Sequence, residues 1–130
     1  MLSVNPDKIE SLYDYLDEAT LLIYNHTNNN YLNCLLSAID FLLNNDQFLM
    51  RMDKEIIEKL DILLKKIAET SFNKEEIRKA YQLSLLKAFK HLSINLSEIT
   101  PDSIGILFAY FVNLFYKEYA SISILDACVG

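Results

Sequence analysis

The stretch NKEEIRKAYQLSLLKAFKHL, Asn73–Leu92, opens with a helix start signal and continues at helical period. Asn73 can cap the first turn, and Glu76 stands three residues later, where its side chain can reach back to the cap backbone. Ile77, Tyr81, Leu85, Ala88, Phe89 and Leu92 fall on one face at about 100° per residue, which predicts the buried side. Lys79, Lys87 and Lys90 gather on the other side and are read as a solvated face rather than a phosphate-binding one. His91 beside them reads as surface. The predicted element is a helix.

The same logic works outward in both directions. Towards the N-terminus, Asp53 caps a predicted helix to about Glu69, with Ile56, Leu60, Leu63, Leu64 and Ile67 as its stripe. Glu55–Lys59 and Asp61–Lys65 lie at i, i+4 in the favourable order. Tyr31 to about Leu43 is predicted as a helix burying Leu32, Leu35, Leu36, Ile39, Leu42 and Leu43. It ends at Asn44-Asn45-Asp46, and residues 47–52 read as a short helical turn. Asn5 caps and Pro6 opens a helix to about Tyr24. Ile9, Leu12, Tyr13, Leu16, Ala19, Thr20 and Ile23 form its stripe, while Asp14, Asp17 and Glu18 read as solvated. The run Asn25–Asn30 is the joint after it. His26 falls in that joint, and Tyr13, Tyr24, Tyr31 and Tyr81 read as core residues with the hydroxyl at the rim. Towards the C-terminus, Thr100 caps and Pro101 starts a fifth helix, with Ile99 stapled onto Ile104. Ile104, Leu107, Phe108, Phe111, Val112, Leu114 and Phe115 surround that helix. A helix apolar on nearly all sides belongs at a centre or beneath a second domain.

The expected fold class is therefore all-α, a helical bundle of about five main helices. The chain has 130 residues with only two glycines and two prolines, which suits long helices. Ile122–Leu125 is a short β-prone run and is expected as a strand-like tail. A lone strand is unstable, so its partners must lie elsewhere. The domains expected are residues 1–120, helical, and residues 121–130, the opening of another domain. The chain is expected to stop in mid-motif at a cut rather than at a natural terminus.

Composition narrows the function. The formal net charge is −6, so the chain by itself is not expected to hold DNA tightly. Cys34 and Cys128 lie far apart and form no ligand pattern with His26 or His91. They read as two reduced thiols of a cytoplasmic protein, with no metal site. No signal peptide is read at the N-terminus. The apolar run Ile104–Tyr116 is too short for a membrane span, which needs about 20 residues. No nucleophile–base arrangement stands out, so no catalytic residue is expected within the chain.

ILDACVG (Ile124–Gly130) resembles the first cofactor motif of class I methyltransferases. EEIRKAYQLSLLKAFK (Glu75–Lys90), ITPDSIGILFAYFVNLF (Ile99–Phe115) and LYDYLDEATLLI (Leu12–Ile23) resemble the helical N-terminal domain of bacterial adenine-specific (N6) DNA methyltransferase-like proteins. The resemblance implies a parent protein that uses S-adenosylmethionine to methylate adenine in DNA, in a restriction–modification setting. It implies that the tail opens a Rossmann-like domain. It also implies cofactor contacts by Thr100 and Pro101, the counterpart of the motif at the methionine end of the cofactor, and by Asp126 and Gly130 in the cofactor loop. Ala127 stands where the family usually has proline, and Ile99 where many relatives have an aromatic residue. The catalytic Asn/Asp-Pro-Pro-aromatic motif is absent from this chain. The implied partners are DNA for the parent and a C-terminal methyltransferase domain, with subunit pairing into a homodimer. The alternative from another class is a non-enzymatic helical interaction or dimerisation module.

Overall fold

The structure is a computed structural model and describes residues 4–44, 52–95 and 100–125. Five helices run through them: α1 (Pro6–His26), α2 (Tyr31–Leu42), α3 (Lys54–Lys65), α4 (Lys74–His91) and α5 (Asp102–Tyr116). The chain is all-α, and no strand occurs among the described residues. It divides into two compact units, Met1–Leu96 and Ser97–Gly130.

In the first unit α1 is the shared element, packing against α2, α3 and α4, while α2 also packs against α4. The local chemistry explains the helix starts. Asn5 accepts from the Asp7 N–H at 3.0 Å, and Pro6 follows, fixing φ where no N–H is needed. Asn30 accepts from the Asn33 N–H at 2.9 Å. Asn73 accepts from the N–H groups of Glu75 and Glu76, and Glu76 returns a carboxylate oxygen to the Asn73 N–H at 2.9 Å, completing the capping box. Asn73→Ala removes the acceptor for both N–H groups and is expected to cost about 1 kcal/mol. A urea melt followed by circular dichroism checks this. Asn44 takes a left-handed conformation at φ 59° just after α2, which asparagine tolerates. Asp53 sits at the cap of α3 without a side-chain cap bond. That helix ends at Lys65, short of Glu69, because the chain tightens into i, i+3 turns through Lys66, Ile67 and Thr70.

The core faces of α2 and α4 differ from the hydrophobic stripes expected. On α2 the buried residues are Tyr31, Cys34, Leu35, Ala38 and Phe41, whereas Leu36 and Leu43 are 49% and 68% exposed. On α4 they are Glu76, Ala80, Ser84 and Ala88, spaced four apart, with Ile77, Tyr81 and Leu85 only partly covered. Leu92 is exposed. Small side chains let helix backbones approach closely, so they occupy the seam although they carry little hydrophobic signal. The polar members of these faces are satisfied locally. Thr20 donates to the Leu16 carbonyl at 2.6 Å and Ser84 to the Ala80 carbonyl at 3.0 Å. The α1 face matches expectation, with Tyr15 added to it. On α3, Ile56 and Leu60 are buried, as is Ile67 just beyond it, and Glu55 pairs with Lys59 at 2.7 Å.

In the second unit α5 buries none of its residues. Its exposed apolar side chains, from Ile104 to Tyr116, are 44–68% accessible. Ser121–Leu125, the described part of the tail expected as a strand, has no regular secondary structure. Among the described residues no helix is long and apolar enough to cross a membrane. The short helical turn expected at 47–52 lies outside the described residues except for Met52, as do Ile99 and Cys128.

Candidate functional site

Of the four residues expected at a cofactor, the structure describes Thr100 and Pro101; Asp126 and Gly130 lie outside the described residues. Thr100 is exposed and precedes α5. Pro101, not Thr100, holds the cap position, one residue later than expected, and its carbonyl accepts from the Ile104 N–H at 3.0 Å. Proline offers no side-chain acceptor there, so the first turn of α5 has no side-chain cap from that residue. A helix start of this kind suits an anionic group.

The faces of α5 lead from that turn to the tail. Gly105, Ala109, Val112 and Tyr116 follow one side of the helix and, with Phe108, Ile122 and Ile124, line an open groove of about 560 Å³. A Cβ at Gly105 would meet nothing within 4 Å. Asn113 and Ser121 supply polar groups in it.

The first unit carries a polar junction that pattern reading does not reveal. The Tyr31 hydroxyl donates to Asp17 Oδ1 at 2.5 Å, and the Lys87 ammonium donates to the same oxygen. Lys87 also lies 5.8 Å from the Tyr31 ring centroid, and His91 stacks on that ring at 4.3 Å and 7°. Desolvation, then the bond to Asp17, pushes the Tyr31 hydroxyl pKa well above its ordinary value. Two expectations are corrected here. Asp17 is not a solvated carboxylate, and Lys87 is not on an outward lysine face, because the two meet across α1 and α4. Glu18 is likewise paired, with Lys66 at 2.6 Å. Asp17 and Lys87 are 70 residues apart in sequence, so no local signal could have joined them.

Glu76 is the one buried charged residue among the described residues, 2% exposed. One carboxylate oxygen accepts from the Asn73 N–H and the other from the Asn5 N–H at 3.0 Å, tying the starts of α4 and α1 together. The Asn73 N–H, then the Asn5 N–H, with a contribution from Lys8, hold its carboxyl below the usual range against the opposing effect of burial. This is a structural clamp, since both oxygens are occupied by backbone.

A family model described as the YtxK N-terminal helical domain matches residues 10–89, which run from α1 into α4. The chain belongs to that family. It is 33% identical over 126 residues to the protein named "Uncharacterized protein YtxK" of Bacillus subtilis (strain 168). That alignment covers 95% of this chain and 38% of the relative, so the chain spans under half the length of the curated relative it matches. No solved structure matches it.

Proposed function

We propose that this chain is the N-terminal helical part of an S-adenosylmethionine-dependent DNA adenine-N6 methyltransferase-like protein, with a Rossmann-like domain following it. The observation that carries the reading is α5. It is apolar on nearly all sides, buries nothing within its own unit, starts directly after Thr100-Pro101 and leads into the exposed Ile122–Leu125. Such a helix needs cover, and a following domain, whose sheet would also pair the tail, is the cover the sequence resemblance implies. The family description, an N-terminal helical domain, and the extra length of the relative fit that arrangement.

The residues present fit one end of the cofactor. The first turn of α5 and the Thr100 hydroxyl can receive a carboxylate, as one group of the methionine end of S-adenosylmethionine requires. The cofactor would supply the methyl group, while the adenine-binding chemistry belongs to the following domain. The role of α5 is to hold one end of the cofactor and keep water from it.

The full-length protein is tested for binding of S-adenosylmethionine by calorimetry and for transfer of labelled methyl to the N6 amine of adenine in DNA. Binding is expected, with a weaker affinity in Thr100→Ala. Absence of both binding and transfer sinks the reading. A non-enzymatic interaction module remains the second reading because the α5 surface would serve a partner helix equally well. A gene that continues past Gly130 with a glycine within two residues and a Pro-Pro-aromatic motif further on separates the two.

A further inference from the structure

Charge in this acidic chain is segregated along α4. After Glu76 no acidic residue occurs until Glu98, while Arg78, Lys79, Lys87 and Lys90 fall in between. At the end of the helix, Leu86, Lys87, Lys90 and His91 line an open depression of about 740 Å³. Cations in a final turn complement the helix dipole and by themselves mark an ordinary solvated helix end. Two further features set this one apart. The first is the His91 ring. It lies parallel to the Tyr31 ring at 4.3 Å, and Tyr31 is 4% exposed, so the core fixes one face of the imidazole while His91 itself stays exposed. The second is the different state of the two lysines. Lys87 is paired with Asp17 and held beside the Tyr31 ring. Lys90 is exposed, and among the described residues no hydrogen bond or ion pair engages it.

We propose that the end of α4 binds a nucleotide, with its base stacked on the open face of His91 and its phosphate on the Lys90 ammonium. A base presents a flat π-face, and an aromatic ring already held in place receives it without loss of its own rotamer freedom. The phosphate needs an unpaired cation beside that ring, and Lys90 is the residue next to it. A lysine ammonium has three N–H donors, so Lys87 can also reach the phosphate while it stays bound to Asp17. Asp17 is the acid nearest to these groups, and its carboxylate is already engaged by Tyr31 and Lys87. Leu86 supplies an apolar wall for the sugar. A free nucleotide and one unit of a single strand share this chemistry. A duplex does not, because its bases are stacked on one another.

The test titrates the isotope-labelled chain with adenosine 5′-monophosphate and follows amide chemical shifts. Saturable shifts are expected at Tyr31 and residues 86–92. Adenosine and ribose 5-phosphate, each carrying half of the ligand, should bind at least about tenfold more weakly. His91→Gln, which removes the ring, should weaken binding about tenfold, and His91→Phe, which keeps a ring on Tyr31, should restore most of it. Lys90→Gln should weaken binding severalfold, whereas Lys74→Gln, the same charge change at the other end of α4, should leave it unchanged. Both side chains at the site are exposed, so these variants keep the core. A short deoxyadenosine single strand that binds more tightly than the mononucleotide assigns the site to a strand, and equal binding assigns it to the free nucleotide. Ribose 5-phosphate binding as well as the nucleotide overturns the proposal. So do equal losses in Lys90→Gln and Lys74→Gln, and so does an affinity indifferent to His91→Gln. None of these readouts involves S-adenosylmethionine, so the result stands or falls separately from the cofactor reading.

Discussion

Leu35→Ala is expected to destabilise the first unit by about 3 kcal/mol, while Leu36→Ala on the next residue costs well under about 1 kcal/mol. The two leucines are chemically identical and share α2, so only their surroundings differ. Leu35 is 1% exposed and belongs to the core cluster that includes Leu12, Leu16 and Leu60. Truncating it removes the transfer free energy of the lost carbons and leaves a cavity that close-packed neighbours cannot fully fill. Leu36 keeps about half its surface in water, so alanine leaves no enclosed void and restores some helix propensity. A loss of that size is a large part of the stability of an ordinary domain. Paired urea melts read by circular dichroism decide the matter. Equal losses for the two variants would mean that Leu36 is enclosed as fully as Leu35, and a larger loss for Leu36→Ala would mean that the face built on Leu32, Leu36, Ile39 and Leu43 is the buried one.

That contrast also marks what could be read from sequence. Helix starts were legible because capping is local: Asn5 with Pro6, and Asn73 with Glu76, carry their own geometry. The faces of α1 and α3 were legible because large apolar residues there recur at the helical period and do point inward. On α2 and α4 that signal is ambiguous, since large apolar residues lie on more than one side. The seam was settled instead by Cys34, Ala38, Ala80, Ser84 and Ala88, whose value is their small volume rather than their hydrophobicity. Contacts that depend on the tertiary fold were invisible, above all Asp17 with Tyr31 and Lys87. The capping box at Glu76 was visible, but its second bond, to Asn5 across 71 residues, was not. At the expected cofactor site, the Thr100-Pro101 helix start was legible to within one residue. Asp126 and Gly130 rest on the resemblance and lie outside the described residues.

Glu76→Gln should produce the second large effect, and its dependence on pH identifies the cause. The carboxylate accepts two backbone N–H groups, one on each oxygen, at the starts of two different helices. Glutamine is nearly the same shape but has one acceptor oxygen, so its amide NH₂ must face either the Asn5 or the Asn73 N–H. One buried donor then loses its partner, and the negative charge that complements both helix starts disappears. The folded pKa of Glu76 lies below its ordinary value because those N–H groups favour the ionised form. The stabilisation is therefore fully present above the unfolded pKa, about 4.3, and is lost as pH falls through the folded value. The stability gap between wild type and Glu76→Gln should be widest at neutral pH and narrow steadily once pH drops below about 4.3. Glu55 and Glu75 are also held below their ordinary range, by Lys59 and Arg78, and they give both proteins a shared acid slope that cancels in the difference. Chemical melts of the two proteins across the acid range supply the measurement. A gap that stays constant with pH would show that the substitution acts through shape alone and that the charge at the two helix starts contributes nothing.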